Sequence, residues 1–131
     1  MKATILLVDD DPDFLEMHRA VLRDKGYRVL AATSGAQCVK LAEAEPPDLI
    51  ILDMIMEGRN SGMEVARALR SSERTARVPL IMVSSVNESV PSHIEPDAVS
   101  LPVNVFLEKP VDPELLLETV AGVLERRGGS Q

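Results

Sequence analysis

Aromatic side chains are almost missing from this 131-residue chain, which holds no tryptophan, one tyrosine and two phenylalanines. Its packing must rest on aliphatic residues. Cysteine occurs once, at Cys38, which excludes an internal disulfide and fits a reducing compartment. Cys38 reads as a small packed or half-exposed helix residue, not a catalytic thiol. No apolar run approaches the roughly 20 residues that a membrane helix needs. The N-terminus carries one lysine, then a strand-like run and acids, with no small-residue cleavage site, so it does not read as a signal peptide. Neither a G-x-G-x-x-G turn nor a G-K-S/T loop is present, which removes dinucleotide and nucleotide binding by those motifs. Basic residues are outnumbered, 14 against 21 acids, for a net charge of −7. That balance argues against nucleic acid or an anionic membrane as a direct partner. It suits a cation or a basic protein surface, and the whole composition suits a cytoplasmic protein.

What is present is an alternation. At this length one domain is expected, large enough for a core without staples. Thr4 to Val8 is an apolar run ending in Asp9-Asp10-Asp11. Asp11 followed by Pro12 reads as an N-cap and a first helical residue. The helix that follows carries Phe14, Met17 and Val21 as one apolar stripe, flanked by Leu15 and Leu22, and closes at Lys25-Gly26. Tyr27 to Ala32 is a second strand. Ser34 caps a second helix that Pro46-Pro47 ends. Leu49-Ile50-Ile51-Leu52 runs straight into Asp53, as a strand buried on both faces does. Met54 to Gly62 reads as a loop with Gly58 and Gly62 as turn points, followed by a helix with Val65, Ala66 and Leu69 inward. Arg67, Arg70 and Arg74 share another face and read as solvated. Pro79 to Val83 and Val103 to Glu108 are two further strands. Asp112-Pro113 opens a last helix with Leu116, Val120, Val123 and Leu124. Between Ser85 and Pro102 the alternation asks for a helix, yet Pro91, Pro96 and Pro102 allow only a short or irregular one. Residues 1–127 form the domain and 128–131 a flexible tail. The pattern is that of a doubly wound parallel α/β sheet.

In such a sheet the strand ends share one edge, where ligands bind. Asp9 and Asp10, Asp53, Ser84 and Lys109 all fall there. Three clustered carboxylates repel one another, and a hard divalent cation relieves this. Three carboxylates, Mg²⁺ and one lysine sum to zero charge. The chemistry implied is in-line attack of an Asp53 oxygen on a phosphoryl donor, helped by charge neutralisation and not by proton transfer.

These residues resemble a response-regulator receiver domain over nearly the whole chain. The matching pieces are Ile5-Leu6-Leu7-Val8-Asp9-Asp10-Asp11-Pro12, Ile51-Leu52-Asp53-Met54-Ile55-Met56, Pro79-Leu80-Ile81-Met82-Val83-Ser84-Ser85 and Phe106-Leu107-Glu108-Lys109-Pro110. The resemblance implies a flavodoxin-like five-stranded sheet of order 2-1-3-4-5. It makes Asp53 the phosphoacceptor and Asp9 and Asp10 the acidic pair. Asp10 and Asp53 then ligate Mg²⁺ beside the Ile55 carbonyl, with Asp9 in the same metal pocket. Ser84 becomes the switch hydroxyl, Phe106 the switch aromatic and Lys109 the phosphate-binding lysine before a cis proline. The implied donor is a histidine kinase or histidine phosphotransfer protein docking against the first helix, where Phe14 and Leu15 are candidate contacts, and the implied output is an unknown downstream protein. The chain departs from the common pattern at Glu57, where proline is frequent, and at Phe106, which lacks the hydroxyl of the frequent tyrosine.

Other readings are a pseudo-receiver that binds without being phosphorylated, and an aspartyl phosphatase. The latter needs an acid two residues after Asp53, where Ile55 stands. No output segment follows the last helix, so a stand-alone receiver is expected, or one excised from a longer chain with Gly128 to Gln131 starting a linker. The chain is expected to be a phosphoacceptor with slow autophosphorylation and autodephosphorylation at most, not an enzyme. Ile55 and Val86 offer no polar group to orient water, which predicts that the phosphoryl group lasts minutes to hours.

Overall fold

A computed structural model describes residues 3–54, 61–85 and 104–129. The elements are β1 (Thr4–Val8), α1 (Pro12–Asp24), β2 (Arg28–Ala32), α2 (Gly35–Ala44), β3 (Leu49–Asp53), α3 (Ser61–Ser71), β4 (Leu80–Ser85), β5 (Val105–Lys109) and α4 (Pro113–Gly129). The strands form one sheet in the order β2-β1-β3-β4-β5, and every neighbouring pair is parallel.

Side chains alternate across a strand, so a sheet covered on both faces needs apolar residues at successive positions. That is the reason for the unbroken apolar runs. Leu6, Val8, Ile50, Leu52, Leu80 and Met82 pack on one face with α2 and α3. Ile5, Leu7, Leu49, Ile51, Ile81 and Val83 pack on the other with α1 and α4. All five residues of β3 are buried, down to Asp53.

Local signals set the helix ends. Asp11 caps α1, its carboxylate accepting from the Asp13 amide at 3.0 Å, with Pro12 in the first turn. After α1 the chain turns through Gly26, whose φ of 95° suits a residue without Cβ. Ser34 caps α2 by accepting from the Gln37 amide at 3.2 Å.

Several expectations need correction. The buried face of α1 is Leu15, His18 and Leu22, while Met17 is 52% exposed. Discounting His18 as polar shifts the stripe by one position. Gly62 is not a turn glycine, because α3 has already begun at Ser61. Arg70 does not belong to a solvated face. Its guanidinium donates to the carbonyls of Ala76 (3.0 Å) and Val78 (2.6 Å) and to Asn104 Oδ1 (3.1 Å). It thereby ties the turn after α3 to the start of β5. Arg74 likewise donates from Nε to the Glu43 carbonyl at 2.6 Å. β4 and β5 each run further than the apolar pattern, so Ser84 and Lys109 lie inside strands.

The last helix runs to Gly129, past the point where the sequence suggests a tail. The irregular fourth helix expected between Ser85 and Pro102 falls outside the described residues. So do Ile55, Glu57, Gly58, Val86 and His93.

Candidate functional site

The carboxyl edge of the sheet gathers its reactive groups from four strands. Asp9 follows β1, and its amide donates to the Ala32 carbonyl at the end of β2, at 3.1 Å. This hydrogen bond extends the ladder by one residue and fixes where the Asp9 side chain starts. Asp53 ends β3 opposite Val83 of β4, and the next amide, of Met54, donates to the Val83 carbonyl at 2.8 Å. Lys109 ends β5 opposite Ser85, and the Lys109-Pro110 bond is cis.

The side chains meet at one ammonium. Lys109 Nζ lies 3.0 Å from Asp9 Oδ2 and 3.4 Å from Asp53 Oδ2. Asp9 is fully buried, Asp53 is nearly so, and 24% of the Lys109 side chain is exposed. Asp9 is held a second time, its Oδ1 accepting from the Asp11 amide at 2.9 Å. The α1 cap region therefore orients the acid that orients the lysine. Burial would pull the Lys109 pKa down. The hydrogen bond that Lys109 donates to Asp9 and the charges of Asp53 and Asp9 outweigh that, and hold it above the ordinary lysine value. The ammonium stays charged at neutral pH. It also sits 4.7 Å from the centroid of the Phe14 ring, a cation–π contact from α1.

Asp10 points outward beside this pair, and one carboxylate oxygen from each of Asp9, Asp10 and Asp53 lies within 4.8 Å of the others. Such a set of hard oxygen donors fits Mg²⁺, which binds through a few carboxylates and keeps several waters. It does not fit a soft, sulfur-seeking metal, for Cys38 is buried in the α2–α3 core with its thiol pushed up to about 12 by burial.

Ser84 is buried on β4, one residue beyond the partner of Asp53 and opposite Glu108. Phe106 lies opposite Met82, so Phe106 and Ser84 share one face of the sheet, two positions apart on neighbouring strands. Phe106 packs half-buried against the α2–α3 core. Asp9, Asp10, Asp53, Ser84 and Lys109 are thus brought to one edge, Phe106 lies further back on β5 opposite Met82, and Ile55 is not described.

Sequence reasoning missed the wall beside Lys109. Phe14 and His18 pack with ring centroids 4.2 Å apart. With Met17, Lys109, Pro110 and Val111 they line a cavity of about 350 Å³. The signal was available, because residues four apart on a helix share a face. Leu15, expected as a surface contact, is instead 93% buried in the α1–α4 core, being 7% exposed.

Known proteins resemble this chain in sequence and fold. The model of the response regulator receiver domain family matches residues 5–121. Protein PilH of Pseudomonas aeruginosa is 36% identical over 125 residues, covering 93% of this chain and 98% of PilH. The phosphate regulon transcriptional regulatory protein PhoB of the same organism is 34% identical, across 95% of this chain but 53% of PhoB. Among solved structures, the chemotaxis response regulator CheY4 of Vibrio cholerae superposes with a TM-score of 0.81 at 29% identity, covering 94% of this chain and 99% of that one. On these matches the chain belongs to the response regulator receiver domain family of two-component systems.

Proposed function

We propose that this receiver accepts a phosphoryl group on Asp53 from a phosphohistidine donor and signals by protein–protein contact. One observation carries the reading: a single charged lysine is bonded to two buried carboxylates at the strand-end edge. Burying charge without partners is costly, so such a cluster at a ligand edge points to a reaction involving charge. A carboxylate oxygen of Asp53 attacks phosphorus, the O–P bond forms, and the P–N bond to the donor imidazole breaks. The imidazole leaves with the electron pair and takes up a proton. Attack by a carboxylate needs no general base. Lys109 holds the negative charge that accumulates on the phosphoryl oxygens, and Asp9 keeps Lys109 in place.

Asp9, Asp10 and Asp53 would hold Mg²⁺, which when bound neutralises phosphoryl charge and orients the group. Ser84 offers a hydroxyl to a phosphoryl oxygen, and Phe106 on the same face fills the space that Ser84 leaves. The donor helix docks along α1, where Phe14, Met17 and the cavity beside Lys109 form an apolar landing next to the reactive edge. A downstream protein then reads the altered surface.

The test is intact mass after incubation with Mg²⁺ and acetyl phosphate, for wild type and Asp53→Ala. A gain of one phosphoryl mass, abolished by EDTA and by the substitution, is expected. No gain from either acetyl phosphate or a phosphorylated histidine phosphotransfer protein would turn the reading toward a pseudo-receiver. The same assay followed in time after the donor is removed measures the lifetime, and decay within seconds would overturn the slow hydrolysis expected from the sequence.

A further inference from the structure

We propose that Gly62, in the first turn of α3, is a positioning residue for Asp53. The inference rests on the reading of Asp53 as phosphoacceptor. The Gly62 amide donates to the Met54 carbonyl at 2.8 Å. A Cβ built on Gly62 would lie within 2.7 Å of the Asp53 carbonyl oxygen, the Met54 Cα and the Met54 carbonyl oxygen. All three are backbone atoms, which cannot rotate out of the way. Helix α3 therefore rests directly on the peptide that follows the nucleophile, and only a residue without a side chain permits it. The other side of that peptide is fixed as well, since the Met54 amide is bonded to Val83 of β4. The Asp53–Met54 peptide is thus clamped between a strand and a helix. Its carboxylate, 3% exposed, has little freedom to aim other than at the Lys109 edge.

A second glycine supplies the control. A Cβ on Gly35 would meet Val65 Cγ2 at 2.5 Å, in the contact between α2 and α3. That clash is also severe, but it falls on a side-chain methyl in the core and not on the backbone of the nucleophile. If Gly62 served packing alone, the two substitutions would act alike.

The experiment compares wild type, Gly62→Ala and Gly35→Ala. Circular dichroism at the assay temperature checks the fold, and intact mass follows phosphoryl uptake from acetyl phosphate at saturating Mg²⁺. Both variants are expected to melt at lower temperature than wild type. Only Gly62→Ala is expected to take up phosphoryl about ten- to a hundredfold more slowly, the scale of loss when a reacting group is displaced by about 1 Å. A folded Gly62→Ala with the wild-type rate overturns the proposal, and so does an equal slowing in Gly35→Ala. Should Gly62→Ala not fold, amide hydrogen exchange on wild type decides. Adding Mg²⁺ with beryllofluoride, a phosphoryl mimic, is expected to slow exchange of the Gly62 amide at least several-fold, and no change overturns the proposal. Absence of uptake by wild type would remove the phosphoacceptor reading beneath it. Uptake by wild type matched by Gly62→Ala removes only the role of Gly62.

Discussion

Asp9 and His18 are both fully enclosed, both polar, and both under the influence of Lys109. They differ in what surrounds them. Asp9 is bonded by the Lys109 ammonium and by the Asp11 amide. Among the described residues neither ring nitrogen of His18 finds a hydrogen-bond partner, and its neighbour is the Phe14 ring. A buried charge that is matched from two sides belongs to a working edge. A buried imidazole with no partner is held by packing, at a cost of the order of 1–3 kcal/mol for the unsatisfied group. The surroundings of Lys109 therefore contain one polar residue that the fold is built to support and one that it tolerates.

The largest expected effect removes the support. In Lys109→Met, phosphoryl uptake from acetyl phosphate should fall roughly a hundredfold or more, the scale seen when one charge-stabilising donor is lost. A rate within a few-fold of wild type would show that Lys109 is not the group holding the charge. The same variant should unfold in EDTA at lower urea, by about 2 kcal/mol, because Asp9 and Asp53 lose their counter-ion. The figure is below that of a fully buried pair because 24% of the lysine side chain remains exposed. Mg²⁺ should stabilise wild type by about 2.7 kcal/mol at a hundredfold excess over its dissociation constant. Asp53→Ala should lose most of that gain, and an undiminished gain would place the metal elsewhere.

His18 should behave in the opposite way. His18→Leu keeps a similar volume and removes the orphan nitrogens, so unfolding at pH 7.5 should show equal or greater stability, by about 1 kcal/mol. A clear loss would mean that the imidazole has a partner after all. The smallest effect is on acid stability. Burial pushes the His18 pKa down from its ordinary 6.5, the Asp9 charge pulls it up, and the Lys109 charge adds to the lowering. The unfolded chain therefore binds this proton more readily than the folded one. The His18 contribution is complete above pH 6.5 and is lost as the pH falls from there toward the folded value. His18→Leu should flatten the stability profile in that window, as chemical unfolding at a series of pH values would reveal.

The contrast also marks what could be read from the sequence. The strands were legible because burial on both faces demands runs such as Leu49 to Leu52. The site was legible because parallel strands bring Asp9, Asp53 and Lys109 to one edge whatever their separation in sequence. His18 was not, since a polar residue breaks the pattern that identifies a buried helix face, and the apolar pattern runs through Met17 instead. Arg70 was not, because its carbonyl partners Ala76 and Val78 and its partner Asn104 carry no sequence signal of that bond. Gly62 was visible as a glycine but not as a point of contact, which depends on how closely α3 approaches β3.

The strand order gives the reactive edge one fixed jaw and one sliding jaw. β1 and β3 each have a neighbour on both sides, and β3 is buried throughout. β5 is an edge strand, and three of its five residues, Val105, Phe106 and Lys109, are half-buried. Moving β5 breaks one ladder where moving β3 breaks two. Asp53 sits in the fixed jaw, while Lys109 and Phe106 ride on the sliding one. If Asp53 takes up the proposed phosphoryl group, the added charge is expected to act like a spring inserted in a vice, with the anvil held and the displacement passed to the β5 side of the molecule.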